Sequence, residues 1–226
     1  MIALREEAFG LTSTDVIRQN RTTLGDQLVT PRDFKSYYRI LNRSMYTRNL
    51  QREAKSTLCR LCGCHLERYS HIAKCREVLK PFRKLCGLAR THVPGVQPDG
   101  AFVSLGLGPE RVLPGSLSSL HMMLWKFVVI AFTQVDTKGA KWDANAVWRQ
   151  ALLRLESRVV RMGESVRRRM LRRRSQGEDG DGAHERAVEK WNKVVAPLAS
   201  FDKEGTLKWD PNALRLIELA RSRRRL

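Results

Sequence analysis

Three cysteines and one histidine between residues 59 and 75 have the spacing of a metal site. Cys59 and Cys62 form a C-x-x-C pair, which lets one tight turn direct two thiolates at one ion. His71 and Cys75 lie four positions apart, so both fall on one side of a short helix. We predict that these four residues bind one zinc ion. A shell of four protein ligands leaves no position for a substrate water, so the zinc is expected to be structural.

Other residues offer alternative ligands. Cys64 and His65 follow Cys62 so closely that a tight turn would strain a third ligand, and Cys64 is expected to be an unused thiol. Cys86 is expected to be a small buried residue of the next helix. The alternative to a metal site is a metal-free cluster of buried cysteines. The chain is expected to be intracellular, where cysteines stay reduced, and this favours metal binding over disulfides.

The cysteine segment and the whole chain are strongly basic. The 226 residues include 42 lysines and arginines against 23 acids, a formal net charge of +19. Nucleic acid is the commonest partner that supplies the missing counter-charge, and an anionic membrane surface is the alternative. We predict phosphate contacts from six residues near the cysteines and four on a later helix: Arg43, Arg48, Arg60, Arg68, Lys74, Arg76, Arg154, Arg161, Arg168 and Arg172.

Tyrosines are interleaved with the basic residues. Tyr38, Tyr46 and Tyr69 can stack on unpaired bases, which favours RNA over DNA as the partner. Core packing is the alternative role for these tyrosines.

The order of motifs around the cysteines is more specific than the C-x-x-C pair alone. A helix with two arginines comes first, then the cysteine pair with its glycine, a glutamate, a His-Ile pair, a cysteine and a helix with an aromatic residue. The residues are Asn42, Arg43, Thr47, Arg48, Leu50, Cys59, Cys62, Gly63, Glu67, His71, Ile72, Cys75 and Phe82. This pattern, over residues 34 to 88, resembles the zinc-binding segment near the C-terminus of non-LTR retrotransposon reverse transcriptases.

The catalytic residues of that family have no counterpart here. Its polymerase site has an acidic doublet and a distant third aspartate, whereas "VDTKG" and "FDKEG" each offer one aspartate. We therefore expect a non-enzymatic nucleic-acid-binding zinc protein. The alternatives are an architectural subunit of a large ribonucleoprotein, such as a ribosome, with other proteins as partners, and a retroelement-derived remnant without polymerase activity.

The elements that must position these residues are predicted to be mainly α. Residues 1–90 form a helical zinc-knuckle module, in which Thr30 caps a helix that begins at Pro31. Residues 91–119 are rich in glycine and proline and are predicted to be a linker. Residues 120–226 form a helical basic region that starts with an apolar helix over 120–135. At 13 residues with Lys126 inside it, the apolar run from Leu120 to Phe132 is too short to span a bilayer, and we expect no transmembrane segment.

The later region contains one long basic amphipathic helix, capped by Asp143. Its apolar residues recur every three or four positions and predict one buried stripe, with arginines on the opposite face that either contact phosphate or are simply solvated. An acidic loop is predicted near residues 175–185, followed by two short helices, the second capped by Asp210. The stripe residues are Trp148, Leu152, Leu155, Val159, Met162, Val166 and Met170.

Overall fold

The computed structural model describes residues 28–30, 33, 56–99, 102, 103, 106, 113–175 and 181–222. Of these residues 66% are helical, which confirms the prediction of a mainly α protein. The described helices are α1 (Tyr69–Ile72), α2 (Arg76–Arg90), α3 (Gly115–Lys138), α4 (Ala144–Ser175), α5 (Asp181–Val195) and α6 (Pro211–Ser222). Two strands, β1 (Ala199–Phe201) and β2 (Leu207–Trp209), form an antiparallel pair between α5 and α6.

Helix α3 is the centre of the fold. It packs against α2, α4 and α5, and Leu117, Leu120 and Trp125 are fully buried. The ring of Phe82 on α2 lies 5.0 Å from the ring of Trp125. Such a helix must be covered on several sides because it is apolar around most of its circumference, and each large side chain buried there contributes roughly 1.5–3 kcal/mol.

By length and composition α3 is also compatible with a membrane span. It has 24 residues, with a mean hydropathy of 1.4 over its most apolar window, and 72% of that window is buried within the fold. Core helices of soluble proteins meet the same criteria. The expectation that the chain has no transmembrane segment therefore stays a prediction.

The N-terminus of α3 is capped by a segment distant in sequence. Ser116 N donates to the carbonyl oxygen of Ala196 at 2.9 Å, and Leu198 N donates to Ser116 Oγ at 3.2 Å. A Cβ atom at Gly115 would collide with the Ala196 carbonyl oxygen. Glycine at this position therefore allows the two backbones to approach closely.

Helix α4 confirms the predicted amphipathic pattern. Its N-terminus is capped by Asp143, whose Oδ1 accepts from Asn145 N at 2.7 Å. Six of the seven predicted stripe residues are buried and Met162 is half-buried, because the stripe packs against α2, α3 and α6. The predicted cap of α6 is also confirmed, because Asp210 Oδ1 accepts from Asn212 N and Ala213 N at 3.0 Å.

The predicted linker and acidic loop differ in part from the structure. Helix α3 begins at Gly115, inside the segment predicted as linker, and Val93 and Val96 of that segment are buried. Helix α4 continues to Ser175 and α5 begins at Asp181, so only residues 176–180 of the predicted loop lie outside the described helices. Residues on both sides of the linker contribute to one hydrophobic core. The division into two domains stays a prediction.

Candidate metal centre and basic surface

The four predicted ligands are held by a short hairpin and two helices. Cys59 N donates to the His65 carbonyl at 2.7 Å, and Leu58 and Leu66 form an antiparallel bridge, so the chain folds back on itself around the first two cysteines. Gly63 lies at the tip with φ +67°, a left-handed conformation that glycine adopts without strain. His71 lies on α1 and Cys75 immediately precedes α2.

The ligand atoms of Cys59, Cys62, His71 and Cys75 lie within 4.8 Å of one another. The Sγ atoms of Cys59 and Cys75 are 3.9 Å apart, and Cys62 Sγ is 3.3 Å from His71 Nε2. A tetrahedral zinc site with ordinary bond lengths requires separations of about 3.8 Å between two sulfurs and about 3.6 Å between sulfur and nitrogen. The four residues could therefore hold a metal ion with small adjustments.

The sulfurs of Cys59 and Cys75 lie within hydrogen-bond distance of each other. A hydrogen bond from the Cys75 thiol, with further donors from the backbone of Cys62 and Leu61, lowers the pKa of Cys59 to about 5 despite its burial. The same hydrogen bond, together with burial, raises the pKa of Cys75. One thiolate is thus favoured at neutral pH, which is the form that binds metal.

The remaining cysteines lie apart from the four-residue cluster. Cys64 is exposed, and its thiol donates to the Cys62 carbonyl at 3.0 Å. His65 is exposed, with its ring centroid 5.1 Å from that of His71. Cys86 is buried in α2, where burial raises the pKa of its thiol. Its predicted role as a small buried residue is confirmed.

A buried ion pair braces the hairpin and attaches it to α3. The Glu67 carboxylate accepts from Arg60 N and Arg60 Nε, both at 2.8 Å, and the exposed fractions of the two side chains are 4% for Arg60 and 0% for Glu67. On α3, Asp136 lies 3.0 Å from the Arg60 guanidinium, which also stacks 5.3 Å from the Phe132 ring. The Arg60 guanidinium therefore acts inside the fold, in contrast to its prediction as a phosphate contact.

The other three predicted cations near the cysteines that lie in the described part of the chain are exposed and line one concavity. Arg68, Lys74 and Arg76 contribute to the wall of a concavity of about 630 Å³. Arg76 is 70% exposed, and its nearest acid, Glu77, is 3.8 Å away. Positive charge is thus grouped beside the metal centre. Arg43 and Arg48 lie outside the described residues.

The predicted cations of α4 likewise include both exposed side chains and one that pairs with a buried acid. Arg161, Arg168 and Arg172 are exposed, and Arg168 lies 3.8 Å from Glu164 on the preceding turn. Arg154 differs because its guanidinium lies 3.6 Å from the buried carboxylate of Asp33 and its side chain is 30% exposed.

Asp33 is the acid around which this inner cluster forms. It accepts from Lys126 and from Thr30, and Arg158 approaches within 4.0 Å. Burial alone would raise the pKa of Asp33, but the hydrogen bonds from Lys126 and Thr30 outweigh burial and lower it to about 2. Thr30 N donates to Asp33 Oδ2 at 3.1 Å and Thr30 Oγ1 accepts from Asp33 N at 3.2 Å, which is the reciprocal pattern of a capping box. The predicted N-cap role of Thr30 is confirmed, whereas the predicted helix body lies outside the described residues apart from Asp33.

Sequence reasoning missed Glu67, Asp33 and Asp136 as positioning residues. The signal for Asp33 was the spacing of Thr30 and Asp33, which matches a capping box. Glu67 appeared only as part of the family pattern, and nothing in the local sequence of Asp136 pairs it with Arg60. Of the predicted tyrosines, Tyr69 begins α1 and the other two lie outside the described residues.

Comparison of the sequence with protein-family models finds no match, and comparisons with curated proteins and with solved structures find none either.

Proposed function

We propose that this protein is a non-enzymatic nucleic-acid-binding module whose basic surface is held in place by one structural zinc ion. RNA is favoured over DNA as the partner. The observation that carries the proposal is the position of three exposed cations directly beside the four-residue metal cluster.

The donor set supports zinc as the metal. Three thiolates and one imidazole are the soft and borderline ligands of structural zinc sites, and their spacing is near that of a tetrahedron. Bound there, zinc would supply folding energy and leave no position for a substrate. Cys59 and Cys75 are buried, so the ion would cross-link the hairpin to the start of α2 inside the fold.

The metal cluster would order the cations because they share its backbone. Lys74 and Arg76 flank Cys75 in sequence, and the Arg68 carbonyl accepts from His71 N at 3.1 Å. A cation on a fixed backbone loses less conformational entropy on binding phosphate than a cation on a mobile loop. The resemblance to a reverse-transcriptase zinc segment supports the same proposal.

The exposed arginines of α4 provide a second basic surface. Arg161, Arg168 and Arg172 lie on the solvent side of a helix whose apolar stripe is already buried in the core. Phosphate neutralisation by such residues gives sequence-tolerant binding that weakens as salt increases.

The first experiment is to measure metal content by mass spectrometry on purified protein and the 260 nm absorbance of the same sample. We expect about one zinc per chain and co-purifying nucleic acid. Binding of a single-stranded RNA and a DNA duplex is then titrated at several salt concentrations. Affinity that does not change with salt would overturn the proposal. If the free protein aggregates at low salt and added nucleic acid prevents the aggregation, the result would instead favour a subunit of a larger ribonucleoprotein.

A further inference from the structure

The concavity beside the metal cluster has a volume suited to a small ligand. It measures about 630 Å³, inside the range of roughly 300–1,000 Å³ that is typical of small-molecule sites. The metal ligands Cys62 and His71 form part of its wall and are half-buried. The same zinc that orders the fold would therefore fix the shape of this concavity.

The lining residues offer two kinds of contact. Arg68, Lys74 and Arg76 provide positive charge, and Ser70 provides a hydroxyl. His65, His71 and Leu66 provide two imidazole rings and an apolar side chain that is 42% exposed. Cations suit a phosphate, whereas flat rings and a leucine suit the face of a base.

We propose that this concavity binds one unpaired nucleotide of a single-stranded nucleic acid, with its phosphate on the cations and its base against Leu66 and the imidazoles. The inference rests on the proposed nucleic-acid-binding function and deepens it. A base inside a duplex is stacked on both faces and cannot enter the concavity, whereas an unpaired base can. A duplex would contact the exposed arginines of α4 through its backbone alone.

Two matched pairs of variants test the apolar and the charged part of the concavity. Leu58 and Leu66 face each other in the same bridge and are both 42% exposed, but only Leu66 lines the concavity. Arg76 and Arg83 are both exposed residues of α2, and only Arg76 lines it. The variants are Leu66→Ser with Leu58→Ser as control, and Arg76→Ser with Arg83→Ser as control.

The readout is fluorescence anisotropy with a labelled single strand of about 12 nucleotides and a duplex of the same sequence, at one salt concentration. We expect Leu66→Ser to weaken single-strand binding about fivefold or more, as expected for losing one base contact, with less than about twofold change for the duplex. Arg76→Ser should weaken single-strand binding more than Arg83→Ser does. Zinc content is measured for every variant. If Leu66→Ser loses its metal, the comparison of Arg76→Ser with Arg83→Ser tests the inference instead.

The outcomes separate the inference from the function it rests on. If the wild type binds neither nucleic acid, the proposed function fails and the inference fails with it. If the wild type binds both but each concavity variant matches its control, the inference alone is overturned. A competition experiment identifies a third outcome, in which an acidic peptide displaces the single strand from the wild type but not from Leu66→Ser. If a mononucleotide displaces the single strand from neither protein, the concavity is a peptide site and the inference is also overturned.

Discussion

The two basic regions of the molecule, beside the metal cluster and along α4, use their cations in the same two ways. In the first, Arg60 is buried against Glu67 while Arg68, Lys74 and Arg76 are exposed. In the second, Arg154 approaches the buried Asp33 while Arg161, Arg168 and Arg172 are exposed. A cluster of positive charge in a sequence thus contains both structural cations and surface cations.

The regions differ in what holds them in place. Helix α4 is fixed by its apolar stripe along most of its length, with Asp33 adding one ion cluster. The hairpin lacks a comparable apolar face: Leu58 and Leu66 are each 42% exposed. It depends on the four ligands and on the Arg60–Glu67 brace. We therefore expect metal removal and brace mutations to affect the hairpin much more than α4.

The largest expected effect is the loss of a metal ligand. Cys59→Ser or Cys75→Ser should abolish metal binding and unfold the hairpin, because structural zinc contributes an apparent ~10–16 kcal/mol in zinc-finger peptides. Zinc per chain and hydrogen exchange of residues 56–75 are the measurements. Cys64→Ser is the control and should change neither. Equal damage from all three substitutions would mean that the ligand set is wrong.

The next effect concerns the brace. Arg60→Met leaves the Glu67 carboxylate buried without its strongest partner and should lower the free energy of unfolding by about 3–5 kcal/mol. Arg76→Met removes an exposed cation and should change it by less than about 0.5 kcal/mol. Urea denaturation of the metal-loaded proteins measures both. Similar losses in the two variants would contradict the division into structural and surface cations.

A smaller effect should depend on pH. The pKa of Asp33 is lowered from 3.8 to about 2, so its stabilising contribution is present above pH 4 and is lost as pH falls through 2. Between pH 5 and pH 3 the difference in unfolding free energy between wild type and Asp33→Asn should narrow by about 1 kcal/mol. Any metal bound by the cysteine cluster would be lost from both proteins alike, so the difference isolates Asp33. A constant difference would mean that Asp33 titrates normally.

The smallest effect on stability is expected at the exposed arginines of α4. Arg168→Glu and Arg172→Glu should change the free energy of unfolding by less than about 0.5 kcal/mol. They should nevertheless weaken nucleic-acid binding and reduce the salt slope by about one per lost phosphate contact. Arg154→Glu is the contrasting variant, because it places an acid beside Asp33 and should destabilise the fold. Unchanged affinity in the first two variants would make α4 a packing element only.

Sequence patterns predicted the features that are encoded locally. The stripe of α4 and the caps at Asp143 and Asp210 follow from helical periodicity and from side chains that bond to adjacent backbone. The ligand cluster also follows from spacing, since a C-x-x-C turn and a pair on a short helix need little tertiary information.

Features that depend on distant contacts were not predicted. Arg60 and Arg76 are equivalent by sequence, and the contacts of Arg60 with Glu67, Asp136 and Phe132 place it inside the fold. The strands β1 and β2 have three residues each, too few to show an alternating pattern. They are stabilised from outside, because Asn192 on α5 bonds to Phe201 through both its amide nitrogen and its amide oxygen.

The cap of α3 has a consequence for the nascent chain. Ser116 and Leu198 are separated by 82 positions, so α3 is synthesised long before the segment that completes its N-terminus. At about 5–20 residues per second, the delay is roughly 4–16 seconds. During that interval α3 lacks this cap, and its covering helices α4 and α5 are still being synthesised. The ribosome finishes the centre of this protein early, but the fold around it can be completed only after residue 198 has been added.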